Sequence, residues 1–115
     1  MESEIKLSGN VALVGFEVLE PTELESVKKI VTTYIKKLSE TGSFEELKLT
    51  LQQRPHGKSF KHDINGLAFV GKDRFSASST EYNLYNAVST VCEKLYSGAL
   101  HKIKKEQRHD KKTFK

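Results

Sequence analysis

Cysteine is nearly absent: Cys92 stands alone among 115 residues. An intramolecular disulfide is therefore excluded, and a thiolate zinc cluster would need more soft ligands than the chain supplies. No run of about 18 apolar residues occurs, so no membrane-spanning helix is expected. The opening "MESEIKLSGN" lacks the basic-then-apolar order of a secretory signal, which points to a cytoplasmic protein. Prolines are two, Pro21 and Pro55, and both fall at apparent element boundaries. Repeats and low-complexity segments are missing as well. With 37% hydrophobic residues, the chain is long enough for one core that buries about two-thirds of its unfolded surface.

What the chain has is segregated positive charge. Residues 101–115 carry seven Lys or Arg against Glu106 and Asp110, a net of +5 in a chain of +4, so residues 1–100 sum to about −1. A second concentration lies at 54–74, where Arg54, Lys58, Lys61, Lys72 and Arg74 oppose Asp63 and Asp73. The first 53 residues are net acidic. Such separation favours an anionic partner over simple solubility.

The apolar periodicity predicts the fold. "IKLSGNVALVGFEV", broken by Gly9 and Gly15, reads as one N-terminal strand. In "EPTELESVKKIVTTYIKKLSETG" Thr22 and Glu25 form a capping-box start and Gly42 a stop. Leu24, Val27, Ile30, Val31, Tyr34, Ile35 and Leu38 share one arc of that helix, and Lys28, Lys29, Lys36 and Lys37 lie opposite. "FEELKLTLQQR" alternates, with Leu47, Leu49 and Leu51 on one face, so its sheet is covered on one side only. "PHGKS" is a turn. "FKHDINGLAFV" is a strand whose apolar phase slips between Ile64 and Leu67, which suggests a bulge near Asn65-Gly66. "GKD" turns tightly into "RFSASS". A last helix opens with a capping box at Ser78 and Glu81 and puts Leu84, Ala87, Val88, Val91, Cys92, Leu95 and Ala99 on one arc. Its apolar stripe stops at Ala99, while the helical pattern runs to about residue 107 and carries Lys102, Lys104, Lys105 and Arg108 beyond the body. The expected architecture is an α+β two-layer sandwich, β-α-β-β-β-α, with two helices on one face of a four-stranded sheet. Residues 1–107 form the single domain, and 108–115 a basic, disordered tail.

Chemistry of the catalytic kind finds little footing. His56, His62, His101 and His109 share no ligand spacing, so no metal or other cofactor is expected. Cys92 lies on the apolar arc with nothing to stabilise a thiolate. No isolated carboxylate pair asks for acid–base work, and no GxGxxG or GxxxxGK[ST] loop cradles a nucleotide. The chain reads as a binding protein, without enzymatic activity or a small-molecule substrate. Tyr82, Tyr85 and Tyr96 lie beside the apolar arc or away from it, where they can stack on bases, although half-buried packing is the more frequent role; the sheet lacks paired aromatics, so recognition of RNA by shape and backbone is favoured over base reading. Lys28, Lys29, Lys36 and Lys37 also admit the plainer role of a solvated helix exterior.

The last helix, "NLYNAVSTVCEKLYSGALHKIKKEQ", resembles that of the ribosome hibernation-promoting factors, also called ribosome-associated inhibitors. Tyr85, Ala87 and Val88 match the start of their helix and Glu93-Lys94-Leu95 its middle, while Asn83 stands where they usually carry an acid. "IVTTYIKKLSE" is similar to their first helix, and the element order is theirs, so the resemblance spans nearly the whole chain, as a short member. It implies a stress-response factor that docks on rRNA of the small ribosomal subunit, occupies the mRNA and tRNA channel and inhibits translation. Matching positions make Lys36, Lys37, Lys94, His101, Lys102, Lys104 and Lys105 the RNA contacts. Charge segregation adds Arg54, Lys58, Lys61, Lys72 and Arg74, and the helix overhang adds Arg108. Two other readings stand beside this one. The chain can be a generic structured-RNA module, or a protein-interaction domain with a basic docking tail.

Overall fold

The computed structural model describes the backbone of residues 4–8 and 10–113 and the side chains of residues 4–7 and 10–103. Among these residues lie five strands, β1 (Glu4–Ser8), β2 (Val11–Val14), β3 (Phe44–His56), β4 (Ser59–Val70) and β5 (Asp73–Glu81), and two helices, α1 (Pro21–Ser39) and α2 (Leu84–Thr113). A short 3-10 turn, Phe16–Val18, joins β2 to α1. The strands form one mixed sheet in the order β1-β2-β3-β4-β5. The β2–β3 pair is parallel and the other three are antiparallel. The α+β class and the two helices agree with the expectation. The sheet has five strands rather than four, because "IKLSGNVALV" is an antiparallel pair and not one interrupted strand. Ile5 and Leu7 of β1 alternate with exposed Glu4 and Lys6 and pack on the core, which gives the added strand its place.

Both helices lie on one side of the sheet. The arc foreseen for α2 is buried in full, from Leu84 through Ala99, and its residues up to Leu95 share one cluster with Leu47, Leu49 and Leu51 of β3 and Ile64 and Ala68 of β4. Each fully buried Leu or Ile contributes about 1.5–3 kcal/mol relative to an exposed one, so this stripe is the main source of stability. Val27 and Val31 of α1 and Phe16 close the other half of the core, while Leu38, Val70 and Ala99 make a small satellite cluster where the end of α1 meets the middle of α2.

Four local expectations change. The β3–β4 ladder runs without a shift through Asn65-Gly66, so there is no bulge there. Gly66 itself takes the inward position, and Leu67 faces outward. A Cβ at Gly66 would lie 2.5 Å from Val91 Cγ1 and 2.9 Å from Leu95 Cδ1, so α2 sits closer to β4 than any side chain would allow. The α1 start is one turn edge earlier than Thr22: Glu20 and Glu23 form the capping box, with the Glu20 N–H donating to Glu23 Oε1 at 3.0 Å and Pro21 at the first helical position. The α2 start is later than Ser78, because Ser76, Ser78 and Thr80 alternate with Phe75, Ala77 and Ser79 at the period of a strand and β5 runs on to Glu81. Asn83 then caps α2, its Oδ1 accepting from the Asn86 N–H at 3.0 Å. At its far end α2 continues to Thr113, past the end at about residue 107 expected from the helical pattern. The side chains of the expected tail at 108–115, and the backbone of 114–115, lie outside the described residues.

Candidate nucleic-acid interface

The chain direction decides where the cations go. From Phe44 to His56, β3 spans thirteen residues, or about 40 Å at the usual rise of a strand. The end of α1, the β4–β5 turn and the later part of α2 meet at the Phe44 end; the β3–β4 turn and the start of α2 mark the other. The basic residues foreseen from the sequence are thereby sorted into two sets at opposite ends, with two outliers, and do not share one surface.

The helix end holds Lys36 and Lys37 on the last turn of α1, Lys72 in the β4–β5 turn, and His101 and Lys102 on α2, all exposed. The two helices are fastened there by side chains. The Tyr34 hydroxyl donates to Glu93 Oε1 at 3.0 Å, and the Ser97 hydroxyl donates to Glu93 Oε2 at 2.9 Å. Burial, reinforced by the neighbouring Glu93 carboxylate, raises the Tyr34 phenol above its ordinary pKa. Lys37 Nζ sits 4.9 Å from the Tyr34 ring centre and 5.6 Å from that of Tyr96, so its charge is held between rings. Lys102 Nζ lies 3.7 Å from Asp73 Oδ1, tying α2 to the β4–β5 turn. The end is mixed in sign, with Glu40, Glu45 and Glu46 also exposed near it. The backbone of Lys104, Lys105 and Arg108 continues α2, and their side chains lie outside the described residues.

The outliers have other surroundings. Lys94 Nζ donates to the Ser78 carbonyl at 3.1 Å, covering part of the free edge of β5. Arg74 stands on the open sheet face, opposite Phe69 of β4.

The hairpin end is the more uniform of the two. Beyond Leu51 and Ile64 the β3–β4 ladder continues to His56 and Ser59 with neither helix over it. From Arg54 to His62 there are three Lys or Arg and no acid. Arg54 pairs with Asp63, whose other oxygen accepts from the Thr80 hydroxyl. Exposed aromatic residues gather here. Tyr82 is half-buried as expected, at 51% exposed, and Phe60 is 50% exposed. The Tyr82 hydroxyl and His56 Nδ1 are 2.8 Å apart and share a hydrogen bond, the two rings meet edge to face at 5.6 Å, and Lys61 Nζ lies 5.4 Å from the Tyr82 ring centre. His56 and Tyr82 are 26 residues apart, so no local pattern signals their meeting; only the pairing of His62 with Glu81 brings them together.

Chemically, these groups offer fixed positive charge and aromatic surface. Cys92 supplies no nucleophile: it is buried, and desolvation, with Glu93 close by, pushes its thiol up to about 12. Among the described residues, no three His, Cys, Asp or Glu gather as metal ligands, and no helix is long and apolar enough to cross a membrane. No protein-family model matches the chain, and no curated protein matches it.

Proposed function

We propose that this protein is a ribosome-binding factor of the hibernation type, which docks on rRNA of the small subunit, fills the path of mRNA and tRNA and silences translation by occupancy in the cytoplasm of stressed cells. The observation that carries the reading is the presence of exposed cations at both ends of one elongated body whose extents are 60 × 30 × 23 Å. A protein lying on one RNA surface needs a single basic face. A plug in a walled channel meets phosphates at both of its ends.

The rest of the chemistry suits such a plug. Occupancy requires placement and no base sequence, and lysines on rigid elements meet phosphates without reading bases. Lys36, Lys37, Lys72, His101 and Lys102 serve one wall, with Lys104, Lys105 and Arg108 on the continuing helix. Arg54, Lys58 and Lys61 serve the other. Lys94 acts through the fold, by holding β5. Neither a cofactor nor a small-molecule substrate enters this reading.

Sucrose-gradient sedimentation of the tagged protein at two salt concentrations, from growing and starved cells, tests it. The protein is expected with small subunits at low salt and largely free at moderate salt, because each neutralised phosphate releases counterions. Binding indifferent to salt would overturn the reading. Release by excess duplex RNA would replace it with a generic structured-RNA module.

A further inference from the structure

We infer that the hairpin end is a stacking site for an unpaired nucleotide of RNA, with the Tyr82 ring as the platform and Arg54, Lys58 and Lys61 as contacts to its phosphates. The inference rests on the reading above only in taking RNA as the partner.

Three observations carry it. First, the Tyr82 ring is half exposed yet fixed. Its hydroxyl is bonded to His56, its flank is set against the His56 ring, and Lys61 stands over it. A ring that projects into solvent with its orientation already settled loses little freedom when a base stacks on it. Second, the charge is of one sign from Arg54 to His62, and the two nearest acids are engaged: Asp63 by Arg54 and Thr80, and Glu81, the chain neighbour of Tyr82, by the Thr90 hydroxyl, which donates to its Oε2 at 3.4 Å. A phosphate therefore approaches without repulsion from an unpaired carboxylate. Third, a shallow groove of about 480 Å³ begins at Arg54 and Lys61 and runs over the open sheet face, lined by Gln52, Asn65, Ser78 and Thr80 and by Asp63, the carboxylate that Arg54 and Thr80 engage. That volume lies in the range that holds a small ligand such as a nucleotide. Amide and hydroxyl groups there can both donate and accept, as the edges of an unpaired base require.

Lys61 gives the site its order of events. Its ammonium occupies the ring face in the free protein, an arrangement worth little at an exposed position. An arriving nucleotide brings a phosphate that draws the ammonium away and a base that takes its place on the ring. A base in a duplex is already stacked and paired, so the site selects unpaired RNA.

The test is a fluorescence titration of a single-stranded oligoribonucleotide carrying 2-aminopurine with the full chain, which contains no tryptophan to confuse the signal. Quenching is expected with the natural chain and with Tyr82→Phe, which keeps the ring. Tyr82→Ala should remove the quenching and weaken binding by roughly tenfold or more, the usual effect of losing one base–aromatic stack. Because Tyr82 is exposed, both variants should keep the natural urea midpoint. The same probe in a duplex should not be quenched. Equal quenching by Tyr82→Ala, or none by the natural chain, would overturn the inference. The two proposals fail separately: salt-sensitive sedimentation with small subunits but no quenching removes only the stacking site. Quenching without sedimentation removes only the ribosome.

Discussion

β3 and β4 are single continuous strands, yet their two halves have different surroundings. From Leu47 to Leu51, and from Ile64 to Ala68, every inward residue is buried beneath the helices. From Gln52 to the turn and back to His62, the same ladder of hydrogen bonds continues with no helix above it and its side chains largely exposed. The backbone does the same thing in both halves. The covered half is apolar inward and contributes stability; the uncovered half is basic and aromatic and contributes little to the core. A sheet that outruns its helices thus presents a rigid arm whose residues are free to serve a partner.

The largest test of that division is Leu49→Ala in the covered half. Leu49 is fully buried, so the variant should lose about 2–5 kcal/mol by urea denaturation, from lost transfer energy and the cavity left behind. RNA binding by the folded fraction should be unchanged. A binding loss larger than the unfolded fraction explains would mean that the two halves are coupled.

Gly66→Ala comes next. The new Cβ would press on Val91 and Leu95, and overpacking of this kind costs about 1–3 kcal/mol. A neutral result would show that α2 can move outward, and that its close approach to β4 is not what seats the helix.

How much of this division is legible in the sequence depends on the range of the contacts. The α2 stripe is readable because its seven residues repeat every three or four positions, and all seven are buried. The β3 alternation is readable for the same reason. Gly66 is not, since a missing side chain at an inward position looks like a phase error until the helix above it is known. The fifth strand is lost because Gly9 reads in the sequence as a break inside one strand rather than a boundary between two. The cations could be listed from the sequence but not sorted, because their division into two ends follows from strand direction. Tyr82 and His56 join only through the β4–β5 register, and so the aromatic part of the hairpin end has no local signature.

A pH series probes the covered half from another side. The folded Cys92 thiol titrates at about 12, against about 9 when exposed, so the unfolded chain releases this proton first. Below pH 8 neither state ionises and stability owes nothing to pH through this group. As pH rises above 9 the unfolded state gains relative to the native one, with a loss of about 1.4 kcal/mol by pH 10. Urea midpoints of the natural chain and of Cys92→Ala should therefore converge as pH rises from 8 to 10. Parallel curves would place Cys92 in contact with solvent and weaken the case for a tight α2–sheet seam.

The smallest effect on stability belongs to the arm, and it is the most telling. Arg54→Gln combined with Lys58→Gln removes two exposed cations, one of them paired with the largely covered Asp63, whose other oxygen keeps its bond from Thr80, and should cost no more than about 1 kcal/mol by urea denaturation. If both side chains meet phosphates, the slope of log binding against log salt for small-subunit association should fall by roughly two. Truncation after Ile103 gives the matching measurement at the other end, since it removes six Lys or Arg and two acids while leaving the hairpin intact. Reduced slopes for both variants are what a plug touching two walls requires. A reduced slope for the truncation alone would leave the hairpin arm without a phosphate partner, and the chain would then bind by its helix end only.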